Sequence, residues 1–125
     1  MRTIVAGSRY FDDYEILCEV IRESGINITT LISGHAPGAD LTAERWADLT
    51  RTPKEIYPAN WNKDGKAAGP IRNSKMAQVA EAAIVICMKD SRGSHDMIEK
   101  AKAKKLKLYV QYVEFDYKAK QWKKL

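Results

Sequence analysis

Apolar and polar positions change rhythm several times along this chain, and the changes mark out elements. Residues 2–6 are a short apolar run closed by Gly7-Ser8-Arg9, which predicts a first strand. Asp12 or Asp13 then stands where a helix cap is needed, and Ile16, Leu17, Val20 and Ile21 recur at three- and four-residue spacing until Ser24-Gly25. Residues 29–33 predict a second strand. Leu41, Ala43, Trp46, Ala47 and Leu49 predict a helix over 40–49, and residues 53–57 predict a short strand stopped by Pro58. Residues 59–69 read as a long loop, and Pro70 suits the first turn of a helix running to about residue 82. Residues 83–88 are the most apolar stretch and predict a central strand buried on both faces. A loop over 89–94, a helix over 95–104 and a strand over 106–110 complete the unit.

Strand and helix therefore alternate, which predicts an α/β fold: one domain over 1–110, a parallel sheet of about five strands, helices on both faces. Residues 111–125, with Tyr112, Phe115, Tyr117 and Trp122, read as a C-terminal extension packing on the domain or on a partner subunit. A length of 125 residues suits one domain with a real core. No apolar run reaches the roughly 20 residues of a membrane span, and Met1-Arg2-Thr3 leads straight into strand-like sequence, so a cytoplasmic protein is expected. Cys18 and Cys87 sit among apolar neighbours without a Cys-x-x-Cys pattern, which predicts two buried free thiols.

In open parallel sheets ligands bind where the strands end and their order reverses. Three glycine- and serine-bearing turns would meet there: Gly7-Ser8-Arg9, the stretch from Ser33 and Gly34 to Asp40, and Ser91-Arg92-Gly93-Ser94. A strand that breaks into such a turn and then a helix presents unpaired backbone N–H groups and the positive end of a helix dipole, which favours phosphate. Gly34 and Gly38 are read as supplying positive φ. Arg9, Arg72 and Arg92 each adjoin or follow a glycine or proline turn, and a guanidinium fork matches phosphate oxygens. Asp40, Glu44, Asp96 and Glu99 are the acid–base candidates, with Asp40 and Glu44 one turn apart on a shared helix face. Trp61 and Tyr57 are candidates for stacking on a base. His35 and His95 have no further His or Cys at ligand spacing, so neither metal nor cofactor is expected. There is no Gly-x-x-x-x-Gly-Lys-Ser/Thr and no Gly-x-Gly-x-x-Gly, which excludes P-loop nucleotidases and standard dinucleotide reductases.

The net charge of +5 is concentrated late, in Lys100, Lys102, Lys104, Lys105 and Lys107 and then Lys118, Lys120, Lys123 and Lys124. Nucleic acid is a possible partner for such a cluster, but no aromatic residues are interleaved with the lysines, so that reading ranks last.

Four blocks in order, Val5-Ala6-Gly7-Ser8-Arg9, Ser33 to Asp40 with Ala43-Glu44, Gly65 to Asn73 through Gly69, and Ser91-Arg92-Gly93-Ser94, resemble the YspA-like branch of the SLOG superfamily. The resemblance runs from Arg2 to about Val110. It implies a Rossmann-like domain of bacteria or their phages that binds nucleotides or nucleotide-derived ligands, often as a homodimer or higher homo-oligomer. Ligand contacts are then expected from Gly7, Ser8, Arg9, Ser33, Gly34, His35, Gly38, Ala39, Asp40, Gly69, Arg72, Asn73 and Ser91 to Ser94. The related LOG enzymes cleave the N-glycosidic bond of nucleoside 5′-monophosphates with an arginine in Arg-Lys-x-x-Met and a glutamate in Pro-Gly-Gly-x-Gly-Thr-x-x-Glu. Arg72-Asn73-Ser74-Lys75-Met76 is similar to the first block, with Asn73 in place of lysine. Glu99 falls two positions late for the second, which would aim it away from the pocket. The expectation is a small nucleotide-type ligand, ADP-ribose-like or a nucleoside phosphate, held by a sensing or sequestering protein in a setting such as phage–host conflict. The alternatives are an N-glycosidase using Arg72 with Asp40, Glu44 or Glu99, and a nucleic-acid binder like DprA.

Overall fold

The computed structural model describes residues 1–125. Its strands are β1 (Arg2–Gly7), β2 (Thr30–Ser33), β3 (Lys54–Ile56), β4 (Ala82–Cys87), β5 (Lys107–Asp116) and β6 (Gln121–Lys124). Its helices are α1 (Tyr14–Ser24), α2 (Ala39–Leu49), α3 (Trp61–Asp64), α4 (Ala68–Val79) and α5 (Arg92–Ala103), with a 3-10 turn at Gly65–Ala67. One six-stranded sheet runs in the order β3-β2-β1-β4-β5-β6. The first five strands pair in parallel and β6 pairs antiparallel to β5. The sheet thus has six strands rather than about five, and it is mixed. The added strand comes from residues 111–125: β5 continues to Asp116 and turns back through β6, whose Trp122 packs edge-on against Phe11 and Phe115.

Alternation along the strands divides the core into two layers. Val5, Leu31, Ile84 and Ile86 face α1 and α2, meeting Leu17, Val20, Ala43 and Ala47. Ile4, Ile32, Ala83 and Val85 face the other way onto Met76 of α4 and Met97, Ile98 and Ala101 of α5. Every residue of β4 is buried, as its unbroken apolar run predicts for the centre of a parallel sheet. Asp13 caps α1 by accepting from the Ile16 N–H at 3.0 Å, and Gly25 ends that helix at φ 68°. Pro70 lies within the first turn of α4, where its missing N–H costs nothing. Cys87 is buried and Cys18 only half-buried; both are free thiols. No helix is long and apolar enough to cross a membrane.

Two predicted loops are partly helical. Residues 59–69 contain α3 and the 3-10 turn, and α5 begins at Arg92, so Arg92, Gly93 and Ser94 are its first turn rather than loop. Ser91 precedes that turn in extended backbone and makes no side-chain cap bond, its hydroxyl being on Ser94 Oγ.

Candidate functional site

Strand order reverses between β1 and β4: the chain runs outward from β1 to β2 and β3, then returns to the other side of β1 as β4. The crevice above that point is a cleft of about 360 Å³, within the range of small-molecule sites. Ala6 and Gly7 at the end of β1 form its floor with Met76 and Met97, and the first turn of α5 forms one side.

Glycine is required at the base of the cleft by packing. A Cβ on Gly7 would run into the Ile86 carbonyl of β4 and come within 2.9 Å of the Ala39 Cβ. A Cβ on Gly38 would strike the backbone of Ser8 and Arg9, so the β1 and β2 turns touch backbone to backbone, joined by the Ala39 N–H donating to the Ser8 carbonyl at 3.1 Å. Gly38 takes positive φ, 85°, as expected. In the other half of the turn the positive φ falls on His35 at 59° rather than on Gly34. Gly34 is needed for a different reason: a Cβ there would occupy the space of the Arg72 guanidinium and lie 2.9 Å from Asp40 Oδ2.

Arg72 extends from α4 across to this turn. Its Nη1 donates to the Gly34 carbonyl at 2.6 Å and its Nε to Asn73 Oδ1 at 2.9 Å. Burial pulls the guanidinium below its ordinary pKa, opposed by the charges of Asp40 and Asp96. Asp40 is almost wholly buried, lines the cleft and accepts from the Ala36 N–H at 3.2 Å. Desolvation pushes its carboxyl up to about 6, with Glu44 adding to the rise and the Ala36 N–H, Arg72 and His35 opposing it.

Arg9 and Arg92 also line the cleft, and neither has an ion-pair partner in the protein. The N–H groups of Arg92, Gly93 and Ser94 have no acceptor, because the first bond of α5 runs from the His95 N–H to the Ser91 carbonyl at 3.1 Å. The Ser91 and Ser94 hydroxyls bond each other at 2.7 Å beside them. The cleft therefore carries two unpaired guanidiniums, a third from Arg72, and three open amides.

Of the residues expected to touch ligand, Gly7, Arg9, Asp40, Gly69, Arg72, Asn73 and Ser91 to Ser94 line the cleft. Others hold its walls. Ser8 Oγ accepts from the Met88 N–H at 2.8 Å, tying the β1 turn to the end of β4. Ser33 donates to Glu44 Oε2 at 2.8 Å, and the same carboxylate meets His35 Nδ1 at 2.9 Å. Glu44 is thus spent on fixing the turn of Ser33, Gly34 and His35, while Gly38 and Ala39 hold that turn against Ser8. Glu99 is 74% exposed, pairs with Lys102 and lies outside the cleft, the outcome that its two-residue offset predicts. None of the late lysines lines the cleft, and Lys100, Lys102, Lys123 and Lys124 form ion pairs with Asp96, Glu99, Glu114 and the Glu19/Glu23 pair.

Asp96 and Trp61 line the cleft as well. Asp96 accepts from Asn73 Nδ2 at 2.9 Å and from Lys100 Nζ at 2.7 Å. Met97 gave no signal in the sequence, and Met76 entered only as the last residue of the Arg72–Met76 block.

This strand order, with its cleft at the turning point, defines a Rossmann-like α/β protein. The chain belongs to the YspA, cpYpsA-related SLOG family, whose model matches residues 1–63. It is also 32% identical over 114 residues to the Gene 61 protein of Mycobacterium phage D29, an alignment that covers 82% of this chain and 90% of that protein. Family membership places it among proteins associated with nucleotide-related binding or processing. The matched segment carries the β1 and β2 turns, and the chain beyond it adds Arg72 and the first turn of α5 to the same cleft.

Proposed function

We propose that this protein binds a nucleotide or nucleotide-derived ligand in the cleft, with its phosphate on the first turn of α5 between Arg9 and Arg92, and acts as a sensing or sequestering protein. One observation carries the reading: Arg9, Arg72, Arg92 and three acceptor-less amides converge on a single cavity. Charge-assisted bonds from guanidinium and amide to phosphate are the strong kind, and the site is preassembled by packing rather than by ligand. The phage relative fits a setting of phage–host conflict. Thermal unfolding with ADP-ribose, cyclic ADP-ribose, NAD and AMP tests it. A ligand at 100 times its Kd adds about 2.7 kcal/mol, or about 10 °C for a domain of this size. Arg92→Ala is expected to remove most of that shift while leaving the free protein's Tm in place. No shift from any of the four excludes the reading.

A second reading, hydrolysis of an N-glycosidic bond, is favoured by Asp40 alone: a buried carboxyl in the cleft, raised to about 6 and adjacent to Arg72, has the acid–base character that such cleavage needs near neutral pH. It predicts free base released from a nucleotide panel, lost in both Asp40→Asn and Arg72→Ala. Release at the wild-type rate in either variant rejects it.

A further inference from the structure

Trp61 is the first residue of α3 and lines the cleft while remaining 59% exposed. Neither α3 nor the 3-10 turn after it buries a single residue, so the segment adds nothing to the core. It is nonetheless built with care: Asn60 Oδ1 accepts from the Lys63 N–H at 3.1 Å, and Gly65 turns the chain at φ 58°. Its reach into the domain is through the indole, which lies beside Gly69, where a Cβ would stand 3.6 Å from the ring edge. A capped turn whose main effect is to hold a large, mostly wet aromatic ring at the wall of an anion-binding cleft is a stacking surface.

The polar groups on the α4–α5 wall point to the same use by being unavailable. Asn73 is the cleft's only carboxamide. Its Nδ2 donates to Asp96 Oδ2 at 2.9 Å and reaches the Gly93 carbonyl at 3.5 Å, and its Oδ1 accepts from Arg72 Nε at 2.9 Å. Both Asp96 oxygens are held by Lys100 Nζ, at 2.8 and 2.7 Å. No side-chain amide is left to read the hydrogen-bonding edge of a base, and the open backbone amides of α5 are assigned to phosphate.

Resting on the reading of the cleft as a nucleotide site, we infer that the ligand carries a nucleobase, held by its face on Trp61 and not discriminated by its edge. Phosphate recognition by Arg9, Arg92 and the α5 amides is independent of that ring, so the two contributions separate experimentally.

The test is calorimetric titration of the full chain with AMP, GMP, UMP and ribose 5-phosphate, in wild type, Trp61→Ala and Trp61→Phe. AMP and GMP are expected to bind within about three-fold of each other, and ribose 5-phosphate at least about five-fold more weakly, the lower end of what base stacking on an aromatic ring provides. UMP falls between, since a pyrimidine covers less of the indole. Trp61→Ala brings AMP down to the level of ribose 5-phosphate and leaves ribose 5-phosphate within about two-fold of its wild-type affinity. Trp61→Phe keeps most of the AMP affinity. Because α3 buries nothing, Trp61→Ala melts within about 2 °C of wild type, so a loss of binding is not a loss of fold. Wild-type AMP affinity in Trp61→Ala, or equal binding of AMP and ribose 5-phosphate, overturns the stacking role while the phosphate site stands. A difference of about 100-fold or more between AMP and GMP overturns the edge-blind recognition. If none of the four binds wild type, the nucleotide reading falls and this inference falls with it.

Discussion

Gly7→Ala is expected to lose about 3 kcal/mol or more of stability and to melt about 10 °C or more below wild type. The added methyl lands on the Ile86 carbonyl and within 2.9 Å of the Ala39 Cβ. Neither obstacle is free to move. Gly7 pairs with Ile86 in the β1–β4 ladder, and the same carbonyl accepts the Ser8 N–H at 3.0 Å. Ala39 is fully buried in the first turn of α2, where its N–H donates to the Ser8 carbonyl. Relief therefore requires opening the centre of the sheet or lifting α2, and both lie directly under the cleft. Chemical denaturation of the purified variant gives the number, and a Tm within 2 or 3 °C of wild type would show that the β1–β4 contact is looser than the packing argued here. Ligand approach to the backbone, the usual reason for glycine in a first β-turn-α unit, is the lesser constraint at this position.

That distinction could not be read from the sequence, where a glycine needed for packing and one needed for ligand look alike. What was legible had a local cause. Asp13 and Gly25 mark the ends of α1 through a side-chain acceptor and a left-handed φ that adjacent residues announce. Residues 83–88 announce a central strand because both faces are apolar, and β4 forms one residue earlier, at Ala82–Cys87. The convergence of Arg9, Arg72 and Arg92 followed from the winding rule for parallel sheets, which places every β-to-α turn on one edge. The misses are elements whose stability is tertiary. β6 contributes only Trp122 to the apolar side, so Gln121-Trp122-Lys123-Lys124 has no period to detect. α3 is one turn long and buries nothing. Arg92-Gly93-Ser94 reads as loop because glycine disfavours helix, yet the Ser91 position and the burial of Ser94 make it the opening turn of α5. His35 takes the left-handed φ assigned to Gly34 because its ring is fixed by Glu44, a contact between residues nine apart that only the fold brings together.

Asp40→Asn is expected to stabilise the protein at neutral pH, by up to about 3 kcal/mol, and to have little effect near pH 4. In the folded chain the Asp40 carboxyl gives up its proton near pH 6, and in the unfolded chain near the ordinary value of 3.8. Between those values the native state holds a proton that the unfolded state has lost. Stability contributed by this group therefore falls as pH rises from about 4, and the full penalty is present above about 6. Asp40 is 5% exposed, so solvent screens little of this penalty, and the nearby Arg72 charge offsets only part of it. Asparagine keeps an acceptor for the Ala36 N–H at the same place and removes the buried charge. Urea unfolding of both proteins at pH 4, 5, 6 and 7.5 isolates the effect, because every other carboxylate titrates in both. Curves that diverge as pH rises, with the variant the more stable, are the expected result; parallel curves would mean that Asp40 ionises as an exposed aspartate does. A gain of this size at neutral pH would also say why the charge is there. A buried carboxylate that costs stability beside Arg72, on the wall of a cleft lined by three guanidiniums, would then be kept for the proposed ligand site rather than for the fold.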